Sequence, residues 1–153
     1  MKENDSLGKA LIRAVSAAIE KIAFEEPEVL PEPVDIQDEA VSFSLPVVSP
    51  YLLQTRIIIP KELAVQLTKT IYRDDEKDIT DELLDDTVGE FLNTIIGTMM
   101  GELTLGKRIF EMGLPEKVRE EEGVPAGQSR RYFFRIEESA FCVEIYGDAF
   151  IES

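Results

Sequence analysis

The feature that most constrains the fold is the helical spacing of apolar residues from Leu84 to Leu103, which covers the stretch DDTVGEFLNTIIGTMMGEL. At about 100° per residue, these apolar side chains gather on one side of a helix. They are Leu84, Val88, Phe91, Leu92, Ile95, Met99 and Leu103, with Ile96 at the edge. An apolar face of this length has to be buried against other elements, so the stretch predicts a long helix packed on the core.

The opposite side of this helix carries a polar stripe, which consists of Asp86, Glu90, Asn93, Gly97 and Gly101. In one interpretation the polar stripe is an ordinary solvated face. That interpretation leaves the two glycines unexplained, because each costs about 1 kcal/mol relative to alanine in a helix interior. In the other, the glycines clear space beside Asn93, so that another molecule can approach while Glu90 and Asn93 project into the contact. The pattern alone leaves both interpretations open.

Two further helices and a connector are predicted before this helix. Apolar residues recur at helical spacing from Ser6 to Phe24, which predicts an amphipathic helix. A short helix is predicted from Pro60 to Tyr72, because proline is tolerated at the first helical position, where its missing N–H has no partner. Three prolines between residues 27 and 33 predict a connector without a regular element.

Strands are predicted on both sides of the helical region. The residues of 41–47 alternate between apolar and smaller side chains, and LLQTRIII follows after Pro46, Ser49 and Pro50, so two strands joined by a turn are expected. RIFEMGL, residues 108–114, reads as a third strand, and the loop PEKVREEEGVPAGQSR follows it. RRYFFRIEESAFCVEIYGD then predicts an aromatic-rich hairpin with its turn at residues 137–139.

The order of these elements predicts the fold class. One helix, two strands, two helices and three strands indicate an α+β fold with a mainly antiparallel sheet covered by helices. With 153 residues, of which 44% are hydrophobic, the chain is long enough for one domain with a sizeable core, so we expect a single domain over residues 1–153.

Net charge and hydropathy exclude several classes of partner. Thirty-one acidic residues against sixteen basic ones give a formal charge of −15, which repels nucleic acid and anionic lipid. The apolar runs are interrupted before they reach the ~20 residues of a membrane span. The N-terminus carries Glu3 and Asp5 where an export signal would be basic. A single cysteine excludes a disulfide framework, and the expected location is therefore the cytoplasm.

The residue types present also restrict the chemistry. The chain has no histidine, which removes histidine triads and histidine metal ligands. Asp74, Glu76 and Asp78 alternate as in a calcium loop, but Ile79 stands where such a loop needs glycine, and its twelfth position is Asp85 instead of glutamate. These acids are better explained by the favourable dipole at the start of a helix, so no metal site is predicted. Cys142 has apolar neighbours and no adjacent cation, and is predicted to be a core residue.

The polar stripe resembles the signature helix of the CheC/CheX/FliY family of chemotaxis phosphatases. In that helix an acid or serine is followed by three residues, a glutamate, two residues and an asparagine, and Asp86, Glu90 and Asn93 match this spacing. The likeness extends to Gly89, Gly97, Glu102-Leu103 and Leu114-Pro115. The N-terminal helix has Lys9 and Ile12 where a second glutamate and asparagine would stand, so the chain is similar to CheX rather than to two-site CheC.

The resemblance implies hydrolysis of the aspartyl phosphate on a CheY-like response regulator, in chemotaxis or another two-component pathway. Asn93 would position the attacking water, and Glu90 would engage the lysine in the regulator's active site. Asp86, Gly97 and Gly101 are candidate contacts to the regulator, although for Asp86 a role in starting the helix is favoured. No cofactor of its own is implied, because Mg²⁺ is expected on the regulator. A homodimer is implied as well.

Two alternatives remain open at this point. The same helix face is compatible with a non-catalytic module that binds a response regulator or serves as a scaffold of the flagellar-switch type. The motif is also compatible with coincidence in an unrelated acidic α+β dimer.

Overall fold

The fold is an antiparallel sheet with helices packed on one face. The structure is a computed structural model, and it describes residues 6–36, 39–49, 52–72, 79–107, 109–118 and 129–147. Within these residues the elements follow in this order: α1 (Ser6–Ala23), β1 (Glu28–Leu30), β2 (Ala40–Ser49), β3 (Leu53–Pro60), α2 (Lys61–Tyr72), α3 (Asp81–Leu103), β4 (Glu111–Met112), β5 (Glu116–Lys117), β6 (Ser129–Ile136) and β7 (Ser139–Gly147).

Every strand pairing in the described part of the chain is antiparallel. The strand order is β1-β6-β7-β3-β2-β4, and β5 also pairs with β2. The α+β fold with an antiparallel sheet covered by helices is thus confirmed.

The core lies between this sheet and the helices. Alternate residues of β2, from Val41 to Val47, are buried, as the alternating pattern predicted. The predicted apolar face of α3 is buried from Leu84 to Met99, and Leu103 at its end is half-buried. Phe141 of β7 joins the two layers, because its ring contacts Phe91 of α3 edge to face, with ring centroids 6.2 Å apart, and stacks on Phe134 of β6. The core thereby fixes which side of α3 faces outward.

Helix α3 begins with a polar cap and acidic residues. Thr80 is extended, and its hydroxyl accepts a hydrogen bond from the Leu83 N–H at 3.1 Å, which satisfies one of the free donors of the first turn. Asp81 and Glu82 lie in that turn, where negative charge interacts favourably with the helix dipole. The acids of this turn therefore help to start the helix. Asp74, Glu76 and Asp78, which alternate as in a calcium loop, lie outside the described residues.

The two predicted strands joined by a turn are confirmed as β2 and β3. β2 runs through Pro46 to Ser49, and the Pro46 carbonyl accepts a hydrogen bond from the Gly113 N–H at 2.8 Å. Other strand predictions were wrong in two places. The strand expected over 108–114 shrinks to the two residues of β4, because the chain passes through Gly113 and Pro115 before it pairs again as β5. The connector contains β1, which pairs with β6 and is confined to three residues by Pro27 and Pro31.

Smaller differences concern the ends of helices. Pro60 is the last residue of β3, and α2 begins at Lys61. Helix α1 ends at Ala23, because Phe24 takes up a left-handed conformation with φ of 58°. The hairpin of β6 and β7 turns at residues 137–138, as predicted.

Candidate functional site

The five residues of the polar stripe lie on one outward side of α3. Asp86 and Glu90 are exposed, whereas Asn93, Gly97 and Gly101 are half-buried. The side of α3 that is buried in the core lies opposite. The structure therefore brings the predicted site residues together along four turns of one helix, a length of about 22 Å at 1.5 Å per residue.

The glycines of the stripe have open space around them. A Cβ atom at Gly101 would meet nothing within 4 Å, and one at Gly97 would meet only the Met112 Cε, at 3.9 Å. Internal packing therefore does not require glycine at either position. Gly89 is different, because its Cβ would lie 3.4 Å from the Pro115 Cβ and 3.5 Å from the Phe43 ring. Gly89 is buried and has a packing role, whereas Gly97 and Gly101 leave the outer surface of α3 bare.

Glu90 and Asn93 are available to a partner. In the part of the chain that the structure describes, neither side chain has a hydrogen bond or an ion pair. An unpaired carboxylate on the surface can accept a charge-assisted hydrogen bond from a cation of another protein. The carboxamide of Asn93 can donate and accept hydrogen bonds at the same time. The two groups are one helical turn apart, so one ligand can contact both of them.

Helix α1 packs against α3 and contacts it near its C-terminal end. Arg13 of α1 forms a bidentate ion pair with Glu102 near the end of α3, and its Nε lies 2.9 Å from Glu102 Oε1. Both side chains are exposed or nearly so, and exposed ion pairs of this kind add little to stability. At the positions where α1 would carry a second motif, Lys9 is exposed and Ile12 is half-buried.

Residues 112–117 border the stripe on one side, and we call them the flanking segment. Lys117 of this segment forms an ion pair with Asp85 at the start of α3, with 3.2 Å between Nζ and Oδ2. From the sequence, residues 112–114 were expected to end a strand and residues 115–117 to begin a loop. Only the Leu114-Pro115 pair signalled them, and nothing in the sequence indicated that they lie against α3 at Gly89 and Gly97. The same holds for the ion pair between Arg13 and Glu102.

Other chemistry receives no support from the described residues. Within those ranges no three histidine, cysteine or acidic side chains are grouped closely enough to hold a metal ion. Cys142 is 2% exposed, which confirms its predicted place in the core. Burial, together with the negative charge of Glu144, raises the pKa of the Cys142 thiol to about 12, so the thiolate needed for nucleophilic attack does not form near neutral pH. None of the helices described has the length and apolar character to cross a bilayer.

Solved structures with the same architecture include chemotaxis proteins. A putative chemotaxis protein from Desulfovibrio vulgaris Hildenborough is 20% identical, with a TM-score of 0.74 over 93% of this chain and 96% of that one. The chemotaxis protein CheX from Vibrio vulnificus is 17% identical, with a TM-score of 0.73 over 92% and 97%. A chain of the CheX–CheY–BeF3–Mg²⁺ complex from Borrelia burgdorferi is 16% identical, with a TM-score of 0.69 over 92% and 96%. At these identities the likeness establishes the fold.

The family follows from the sequence comparison. No curated protein matches the sequence significantly. The family model described as the chemotaxis phosphatase CheX matches residues 45–137, which is more than half of the chain and includes the whole of α3. The chain therefore belongs to the CheX family of chemotaxis phosphatases.

Proposed function

We propose that this protein hydrolyses the aspartyl phosphate of a CheY-like response regulator. The observation that carries the proposal is the pair Glu90 and Asn93, which lie on the outer side of α3 without internal partners among the described residues. Family membership supplies the reaction class, and the Borrelia relative crystallised together with CheY, BeF3 and Mg²⁺ supports the class of partner.

Asn93 acts by placing water. An aspartyl phosphate is an activated acyl phosphate, and its hydrolysis requires a water molecule in line with the phosphorus. Phosphoryl transfer passes through a loose transition state, so positioning and charge neutralisation supply most of the catalysis. A carboxamide holds a water through one donor and one acceptor and needs no change of protonation state. The absence of histidine from the chain is therefore no obstacle to this reaction.

Glu90 acts by docking. Its exposed carboxylate is suited to a charge-assisted hydrogen bond with the lysine in the regulator's active site. This contact aligns Asn93, which lies three residues further along α3, with the phosphoryl group. Mg²⁺ belongs to the regulator in this proposal, and the regulator's own carboxylates hold it.

The remaining stripe residues shape the contact surface. Gly97 and Gly101 let the regulator approach the backbone of α3, because nothing in the described part of the chain fills the space above Gly101. Asp86 is exposed one turn before Glu90 and adds negative charge at this end of the surface. We also propose that the protein forms a homodimer, as the family resemblance implies.

The test measures the loss of phosphate from a CheY-like regulator charged with acetyl phosphate in the presence of Mg²⁺. Asn93→Ala is expected to reduce the decay to the regulator's own rate with binding largely kept, because it removes only the group that places water. Glu90→Ala is expected to weaken both binding and turnover. Gln66→Ala and Glu62→Ala are matched controls, because they truncate an exposed amide and an exposed acid on α2, away from the stripe.

The alternative function is distinguished by the same assay. If candidate regulators lose phosphate equally fast with and without the parent chain, while they still bind in a Glu90-dependent manner, the protein is a binding or scaffold module that uses this face of α3. If Glu90→Ala and Asn93→Ala leave both binding and turnover unchanged, the polar stripe has no role in either function.

A further inference from the structure

The flanking segment lies against the same row of α3 that carries Asn93. We propose that this segment holds the Asn93 carboxamide in its reactive orientation, with Met112 and Pro115 as positioning residues. The inference rests on the proposed function of Asn93. It adds the flanking segment to the site, although these residues have no part in water placement or docking as proposed for Asn93 and Glu90.

Contacts on both sides of Asn93 carry the inference. Gly89, Asn93 and Gly97 are spaced by four residues and therefore form one row along α3. A Cβ at Gly97 would lie 3.9 Å from the Met112 Cε, and one at Gly89 would lie 3.4 Å from the Pro115 Cβ. The flanking segment thus meets this row one turn before and one turn after Asn93.

The geometry of a helix brings the carboxamide into this contact. Side chains of an α-helix lean toward its N-terminus, so the Asn93 side chain covers the turn that contains Gly89. Pro115 lies at that turn, and the Met112 methyl group lies at the following one. The exposure of the two side chains agrees with this position. Asn93 is half-buried, whereas Glu90, three residues before it, is exposed. The two side chains of the segment restrict the rotation of the carboxamide.

The flanking segment is itself fixed on the sheet. Met112 pairs with Val47 in β2, and the Gly113 N–H donates to the Pro46 carbonyl at 2.8 Å. At its other end Lys117 pairs with Phe43. Gly113 is required for this close approach, since a Cβ there would lie 2.6 Å from the Pro46 Cγ. The segment is therefore a rigid wall that joins β2 to α3.

A fixed orientation matters because the two ends of a carboxamide are not equivalent. The NH2 group only donates and the oxygen only accepts, so a rotated Asn93 presents the wrong group to the attacking water. A misplacement of about 1 Å costs on the order of a hundredfold in rate. A flanking segment that limits rotation of the Asn93 carboxamide therefore affects turnover and leaves docking through Glu90 intact.

The test displaces the flanking segment with one substitution and restores its position with a second. Gly113→Ala forces the segment away from Pro46, and the double variant Gly113→Ala/Pro46→Ala removes the ring atoms that cause the clash. The readouts are kcat and KM on the phosphorylated regulator, and the side-chain NH2 signals of Asn93 in NMR spectra of the chain alone. Gly113→Ala is expected to lower kcat by about ten- to a hundredfold with KM unchanged, and to shift the Asn93 signals. The double variant is expected to restore both.

A second pair of variants covers the case in which Gly113→Ala does not fold. Met112→Ala is expected to change kcat and the Asn93 signals in the same direction, and the similar volume of Met112→Leu is expected to keep both close to the parent. A folded Met112→Ala chain whose kcat and Asn93 signals both stay at the parental values would overturn the inference. A parent chain without turnover would instead refute the proposed function, and the NMR comparison would still decide whether the segment orients Asn93.

Discussion

At the scale of single residues, the polar side chains of this protein fall into two groups with opposite environments. Glu90 and Asn93 stand at the surface without partners among the described residues, so the fold gains no hydrogen bond from them. Glu144 is buried on β7, and there it pairs with Arg131 at 3.0 Å and accepts a hydrogen bond from the Tyr146 hydroxyl. The ion pair and the hydrogen bond of Glu144 offset the free-energy cost of burying its carboxylate. The first group has no structural reason to be polar, which favours a role in binding or catalysis.

Cys142 gives a prediction at this scale. Its pKa is raised to about 12 by burial and by Glu144, against an ordinary value of 9.0. The unfolded chain therefore ionises at lower pH than the folded chain, and the contribution of this thiol to stability, complete below pH 9, is lost as the pH rises toward 12. Urea unfolding between pH 9 and 11 is expected to show a falling free energy of unfolding, with a shallower slope for Cys142→Ala.

Thiol labelling provides an independent check. Near pH 8 the native chain is expected to react with a thiol reagent only as fast as it opens, and the chain in urea is expected to react at once. Labelling of the native protein at the rate of the unfolded chain would contradict the buried, neutral thiol. Tyr146, whose pKa is raised by burial and by its hydrogen bond to Glu144, contributes to the slope in the parent and in Cys142→Ala alike.

At the scale of elements, α3 combines a core face with a bare outer face. Replacing Gly101 by alanine tests this division. A Cβ at this position meets nothing within 4 Å, so Gly101→Ala is expected to stabilise the helix by about 1 kcal/mol. The added methyl group stands on the surface proposed to receive the regulator, so affinity is expected to fall. Urea unfolding and a titration with the phosphorylated regulator measure the two effects. Higher stability with unchanged affinity would remove Gly101 from the contact surface.

Elements with many regularly spaced residues were predictable from sequence. Helix α3 was predicted because apolar residues recur with one period from Leu84 to Leu103 and share one face, which also gave the outward position of Glu90 and Asn93. The paired strands β6 and β7 were predicted for a similar reason, since aromatic and β-branched residues surround a short turn. In a long segment the spacing of apolar residues indicates the same secondary structure many times, which outweighs a single unfavourable residue such as Gly97.

Short elements and long-range contacts were not predictable. Strands β1, β4 and β5 have only two or three residues each, and their pairing depends on partners far away in the sequence. Pro46 interrupts the alternating pattern, but β2 continues through it, and its carbonyl accepts a hydrogen bond from the Gly113 N–H. The position of Pro115 beside Gly89 follows from strand register, which no local pattern encodes. The contact between the flanking segment and α3 is therefore seen only in the structure.

At the scale of the whole molecule, the net charge of −15 bears on assembly. The proposed homodimer brings two such charges together, and salt screens their repulsion over about 10 Å at 0.1 M ionic strength. Sedimentation equilibrium is expected to give twice the mass of one chain, with tighter association at higher ionic strength. The mass of a single chain at all concentrations and ionic strengths would show that the protein does not dimerise.

A single-turnover experiment tests most directly whether the Asn93 amide, on the outer side of α3, places the attacking water. The phosphorylated regulator is mixed with an excess of this protein that saturates binding, so that differences in affinity no longer affect the rate. Fast release of phosphate is expected with the parent and with Gln66→Ala, and release at the regulator's own rate is expected with Asn93→Ala. Release at the parental rate with saturating Asn93→Ala would show that Asn93 does not place the attacking water.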